Sequence, residues 1–156
     1  MAANTIGSGL FLGQQLLFEK QVLQIKYSYH STEYRKLRPN TLGENDVQGA
    51  FKDYNGQTYW ASLNLNGVYK KIQPKWLNVA FGYGGEGMVF ANNAATFEGI
   101  QNYRQYYLSL DIDFERIETN KKWLKTIFKV ANCIKVPAPT VELNSDGSST
   151  FHWLYF

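Results

Sequence analysis

Asp111 and Asp113 stand two residues apart in this 156-residue chain, within the stretch RQYYLSLDIDFERI. In an extended segment, residues i and i+2 leave the same face about 7 Å apart. Paired carboxylates can serve as acid and base in glycoside hydrolysis, but such pairs normally come from different strands around a cleft. Two on one strand point instead to a structural role. A charge held away from water needs a partner, and Lys26, in another extended segment, is the cation the pattern offers. His30 and His152 are the only histidines, and no HExxH spacing accompanies them. They read as strand or surface side chains, with no metal and no cofactor expected. The run GYGGEGM at 82–88 fits neither a dinucleotide nor a P-loop signature and reads as a strand end crowded against other backbone. No serine lies in a GxSxG context. Cys133, the single cysteine, lies beside an apolar helical stripe, where a packed thiol fits better than a nucleophile. A lipid or glycan hydrolase is therefore the weakest reading.

The stronger signal is a basic amphipathic helix near 119–133. Trp123, Leu124, Ile127 and Phe128 form an apolar stripe, flanked by Lys121, Lys122, Lys125 and Lys129, with Lys135 just beyond. Such a helix can lie in a membrane interface, with ammoniums on lipid phosphates, or cap a sheet with a solvated lysine face. Pro137 and Pro139 end it.

The elements that must position these residues are mostly strands. Tyr106, Leu108, Leu110, Ile112 and Phe114 alternate with Gln105, Tyr107, Ser109, Asp111 and Asp113, the period of two of a pleated strand. The same alternation recurs in VLQIKYSYH, QTYWASLNLN and WLNVAFGYG. A hairpin with an Asp146-Gly147 turn ends the chain, and Asn55-Gly56 marks another turn. Residues 3–18 read as a helix or packed turn, and about 18 residues from GGEGM to Asn102 read as a long connection. The expected fold is one domain over 1–156, mostly β: an antiparallel, barrel-like or strongly curved sheet of about six or more strands, with an N-terminal helical segment and the amphipathic helix.

Each strand has one fatty face and one polar face. Soluble antiparallel sheets put the fatty face inward; transmembrane barrels put it outward. Periodicity cannot choose between them. Three features favour the membrane. Tyr27, Tyr29, Tyr59, Tyr83 and Tyr106 sit at strand ends, where interfacial belts concentrate. Ala80, Gly82 and Gly84 keep the polar face of their strand slim, as a narrow lumen requires. The chain ends on Phe156 in an apparent strand, although Phe151, Trp153 and Tyr155 fall on the other face from it. Six strands fall short of the roughly eight of the smallest membrane barrel, so closure needs further strands, an upstream portion or other chains.

Composition agrees with a strand-rich chain near lipid: 16% aromatic, 19% charged, net charge +3, against roughly 25% charged in an average soluble protein. The low net charge and the lack of an RNP-type motif argue against nucleic acid. No run of about 18 apolar residues suggests a transmembrane helix, and MAANTIGSGLFLGQQ lacks the basic and apolar regions of a signal peptide, which taken alone points to the cytoplasm.

The stretches GSGLFLGQQLLF, KYSYHSTEYRKLRPNTLG, KDYNGQTYW, PKWLNVAFGYGGEGM, RQYYLSLDID and KVPAPTVE together resemble the uncharacterised YfiM-like family of predicted periplasmic or outer-membrane lipoproteins from Bacteroidetes. KDYNGQTYW and FGYGGEGM carry the resemblance most specifically. The resemblance implies that this chain corresponds to the C-terminal half of a longer protein with a helical first half after a secretion signal. It implies a cell-envelope location, in the outer membrane or periplasm, and brings no activity with it.

These readings converge on a non-enzymatic envelope module whose partners are a membrane surface or outer-membrane lipid, another protein or the upstream half. Lys26, Tyr107, Asp111 and Asp113 are expected inside the curve of the sheet, and Lys121, Lys122, Trp123, Lys125, Phe128 and Lys129 at the membrane interface. The alternative is a soluble β-barrel with an apolar ligand in its interior.

Overall fold

The computed structural model describes residues 2–18, 21–37, 39–88, 100 and 102–156. Most of the connection expected between GGEGM and Asn102 lies outside the described residues. A helix, α1 (Ala2–Phe18), precedes strand β1 (Leu23–Tyr29). Three short helices, α2 (Tyr34–Leu37), α3 (Pro39–Leu42) and α4 (Asp46–Lys52), lead to β2 (Gln57–Asn64). Helix α5 (Leu65–Val68) follows, then β3 (Leu77–Glu86) and β4 (Tyr103–Ile112). A 3₁₀ turn (Phe114–Arg116) and α6 (Lys122–Ala131) lead to the hairpin of β5 (Ala138–Asn144) and β6 (Ser149–Tyr155).

The strands form one antiparallel meander, in the order β1-β2-β3-β4-β5-β6. β1 and β6 are its two ends and share no ladder, so the sheet is not closed by hydrogen bonds into a barrel. The free side of β1 takes a short parallel bridge: Tyr27 N donates to Cys133 O and Lys135 N to Tyr27 O, each 3.0 Å.

Polar side chains decide where strands stop. The Asn64 carboxamide accepts from Gly67 N at 2.7 Å, capping α5 where β2 ends. Asn45 caps α4 the same way, accepting from Gln48 N at 2.9 Å, as short oxygen-bearing side chains do at helix starts. Asp113 accepts from Glu115 N at 3.1 Å and turns the chain into the 3₁₀ segment. This corrects the expected strand to Phe114: the alternation ends at Ile112 because the Asp113 carboxylate offers the backbone a local turn in place of the ladder. In the hairpin, Gly147 takes a φ of +91, a conformation that costs glycine little.

Burial runs opposite to that of a sheet packed on an apolar core. The buried side is polar: Lys26, Ser28, Thr58, Ser62, Asn64 and Asn78 are among its most enclosed side chains. The buried hydrophobic cluster within it is small, consisting of Trp60, Ala80 and Tyr107 with Tyr155 packed against them. The other face is exposed and apolar, with Phe81 at 56% and Leu108 at 46%.

Candidate functional site

Register builds the exposed face row by row. Tyr27 pairs with Tyr59, Tyr59 with Tyr83, and Tyr83 with Tyr106. These tyrosines therefore stand at one level across consecutive strands, with ring centroids 5.7 Å apart for Tyr27–Tyr59 and for Tyr83–Tyr106. The next row runs across all the strands: Ile25, Ala61, Phe81, Leu108, Val141 and Phe151. Leu23, Leu63, Val79 and Leu110 follow, then Leu77 opposite Ile112. From the tyrosine row to Leu77 and Ile112 the apolar face extends about 20 Å along the strands, at roughly 3.4 Å per residue. Two tyrosine hydroxyls are bonded to polar groups, Tyr59 to Gln57 Oε1 at 3.1 Å and Tyr27 to Ala50 O.

The buried face holds two polar clusters separated by aromatic rings. In the first, Lys26 Nζ lies 2.8 Å from Asp111 Oδ2, with both side chains fully enclosed. Lys26 also donates to Ile112 O at 2.7 Å and to Asn132 Oδ1 at 3.1 Å. Asp111 Oδ2 accepts from Ser62 Oγ at 2.6 Å. Ser62 Oγ in turn accepts from Asn78 Nδ2 at 2.8 Å. Asp113 lies just past the end of β4 and pairs with Arg116 rather than Lys26, with Nε 2.9 Å from Oδ2. The two aspartates thus have separate cations. Lys135, read from the sequence as one more member of a basic cluster, is buried: its Nζ lies 5.0 Å from the Trp60 ring centroid and donates to Val136 O. Burial pushes its pKa down to about 8, against the smaller opposing pull of Asp111.

Tyr107 belongs to the aromatic layer instead. It stacks on Tyr155 at 4.6 Å and contacts Trp60 at 5.6 Å. Tyr155 donates to Tyr107 Oη at 2.7 Å, and its own Oη lies 3.4 Å from Thr58 Oγ1 of β2. Trp60 Nε1 donates to Ser28 Oγ at 2.8 Å. A Cβ on Gly82 would come within 2.7 Å of the Trp60 ring, so the missing side chain there makes room for the indole.

Above this layer, Gln105 Nε2 donates to Glu86 Oε2 at 2.9 Å and to Glu142 Oε1 at 3.1 Å. His152 Nε2 lies 2.6 Å from Glu142 Oε2. With His30 these residues line a cavity of about 360 Å³. Burial lowers the pKa of His30 and outweighs the carboxylates around it, which favours the neutral ring. Among the described residues, no group of three or more His, Cys, Asp or Glu side chains could hold a metal ion. No described helix is long and apolar enough to cross a membrane, a result that does not bear on strands. No family model matches the chain, and neither a curated protein nor a solved structure does.

Strict alternation misplaced Tyr155 relative to His152 because of a bulge. Ala138 pairs with Tyr155 and Thr140 with His152, so the ladder takes up an extra residue on β6. His152 and Tyr155 therefore both face the buried side, while Phe151, Trp153 and Leu154 are exposed. The reading that grouped Tyr155 with Phe151 and Trp153 is corrected here; strict alternation cannot see a bulge.

α6 divides its apolar arc in two. Phe128 turns inward and stacks on Phe114 at 5.8 Å, while Trp123, Ile127 and Val130 remain exposed. Lys121, Lys122, Lys125 and Lys129 are all exposed.

Proposed function

We propose that this chain is a non-enzymatic, membrane-seated module of the cell envelope, a structural or interaction domain whose apolar strand face meets lipid. The observation that carries this reading is the inversion of burial. Lys26, Asp111, Asn78 and Gln105 are enclosed, while Ile25, Phe81, Leu108, Leu110, Val141 and Phe151 on the opposite face are exposed. In water such a face would be a large apolar patch of the kind that marks interaction or membrane surfaces. The tyrosine row supports the same reading, because amphipathic rings favour the headgroup level of a bilayer. An apolar band about 20 Å along the strands approaches the roughly 25 Å band of outer-membrane barrels.

In this reading the sheet is strongly curved and barrel-like around its polar side. Tyr155 of β6 reaches Thr58 and Trp60 of β2, four strands away in the order of the sheet. The bridge from Cys133–Lys135 occupies the free side of β1. The interior is filled by Trp60, Tyr107, Lys26 and Lys135, so the module works through its surface and not as a wide pore. The same polar filling disfavours the alternative of an apolar ligand held inside.

Trp153 and Trp60 make the test direct, being 79% and 1% exposed. In single-tryptophan variants reconstituted with brominated lipid, Trp153 fluorescence should be strongly quenched and Trp60 left bright. Equal, weak quenching of both, with a chain that stays monomeric without detergent, would overturn the reading.

A further inference from the structure

We propose that the end of the molecule built from the β2–β3 connection and α6 binds anionic, phosphate-bearing lipid headgroups, and that this fixes which way the module sits in its membrane. The inference rests on the membrane reading above and adds a lipid class and an orientation to it.

The two ends of the sheet differ in charge. Antiparallel register puts Asn64, Asn78, Leu77 and Ile112 at one end, so the segments 65–76 and 113–132 emerge together there. Lys75 of one lies 2.9 Å from Glu118 of the other. The first segment exposes Lys70, Lys71 and Lys75, and the second exposes Lys121, Lys122, Lys125 and Lys129. Exposed carboxylates at this end are Glu115 and Glu118, and Lys75 already occupies Glu118. Apart from Lys75, these lysines form no ion pair with a described carboxylate. At the tyrosine end the exposed charges are of both signs: Glu33, Lys36, Glu44, Asp46, Lys52 and Asp146.

The geometry of α6 ties this charge to the lipid surface. At about 100° per residue, Trp123, Ile127 and Val130 share one narrow stripe, and Lys122, Lys125 and Lys129 lie on the opposite half of the helix. Ile134, also exposed, lies past the end of α6 and bridges Tyr27 on the free side of β1, so the segment that follows the helix runs along the edge of the apolar strand face. A helix whose stripe shares the acyl boundary with the strands holds its lysines at headgroup height, where phosphates lie. Polybasic groups beside a bilayer are attracted to anionic lipid, and salt screens that attraction.

Flotation of the purified chain with vesicles of pure phosphatidylcholine, and of phosphatidylcholine with added phosphatidylglycerol, tests this. The anionic lipid should raise partitioning about tenfold or more, and salt should remove the increment. Lys121→Gln with Lys122→Gln, Lys125→Gln and Lys129→Gln should lose that increment but keep binding to phosphatidylcholine. Lys36→Gln with Lys52→Gln, at the other end, should keep both. Equal partitioning of the wild-type chain into the two compositions overturns the inference and leaves the membrane reading standing. Binding to neither overturns both. A duplex oligonucleotide that binds as tightly at the same salt also overturns it, since the lysines would then serve any polyanion. The wild-type salt dependence decides the matter even if the fourfold variant fails to fold.

Discussion

Lys135 and Lys26 are both buried ammonium groups in the same interior, yet their surroundings differ. Lys26 has the Asp111 carboxylate at 2.8 Å; Lys135 has a carbonyl and the face of Trp60. Burial without an ion pair disfavours the charged form, hence the pKa near 8. The folded pKa lies below the unfolded value, so the unfolded chain holds this proton more tightly between about pH 8 and 10.5. Stability from this site therefore rises with pH across that window, and its cost is fully present below pH 8. Lys135→Met should raise stability at pH 7 by about 1–3 kcal/mol. The gap between variant and wild type should shrink as pH climbs towards 10. Denaturant midpoints at several pH values check this, and a gap independent of pH would contradict it. Asp111→Leu acts in the opposite direction: it leaves Lys26 enclosed without its carboxylate and should cost on the order of 3 kcal/mol. On a water-facing surface the same change would stay within about 0.5 kcal/mol.

At the scale of elements, β3 and β4 carry the longest ladder, from Leu77–Ile112 to Glu86–Tyr103. On its buried face β3 contributes small side chains, Ala80 and Gly82, which leave room for Trp60 of β2 and Tyr107 of β4. The other face is mainly apolar, with Phe81, Tyr83, Tyr106, Leu108 and Leu110 exposed. Leu108 stands at its middle, paired with Phe81 and Val141. Leu108→Arg should cost roughly 2–4 kcal/mol in vesicles if that level lies near mid-bilayer. Because Leu108 is already half exposed, the same substitution in a water-facing sheet should be nearly neutral. Unfolding titrations of the reconstituted variant separate the two outcomes.

For the whole molecule, Tyr155 is the tie between the last strand and the second. Its ring stacks on Tyr107 and lies 6.2 Å from that of Trp60, and its hydroxyl reaches Thr58. β6 otherwise pairs only with β5. Tyr155→Ala should therefore cost about 3 kcal/mol, in the range of large aromatic truncations, and its effect should be uneven. Amide hydrogen exchange should speed up in β6 while β2 and β3 stay protected, as expected for local opening at a sheet end. Uniform loss of protection would show that the sheet opens as one unit.

What the sequence by itself determined is the membership of each face. Period-two alternation placed Lys26, Tyr107 and Asp111 together and Leu108 with Leu110, because successive side chains on a pleated strand must leave opposite sides. The complementary charges of Lys26 and Asp111 pointed to their pairing. The helix α6 was legible from its period of 3.6, but not the split of its apolar residues, Phe128 stacking on Phe114 while Trp123 and Ile127 stay exposed. Three other features depended on the tertiary structure. Asp113 left the strand to cap a turn and met Arg116; the bulge in β6 turned His152 and Tyr155 inward together; and the bridge beside β1 enclosed Lys135. Which face is enclosed was also a tertiary matter. Alternation is a local property of one strand, whereas burial depends on register, bulges and contacts between residues as distant in sequence as Thr58 and Tyr155.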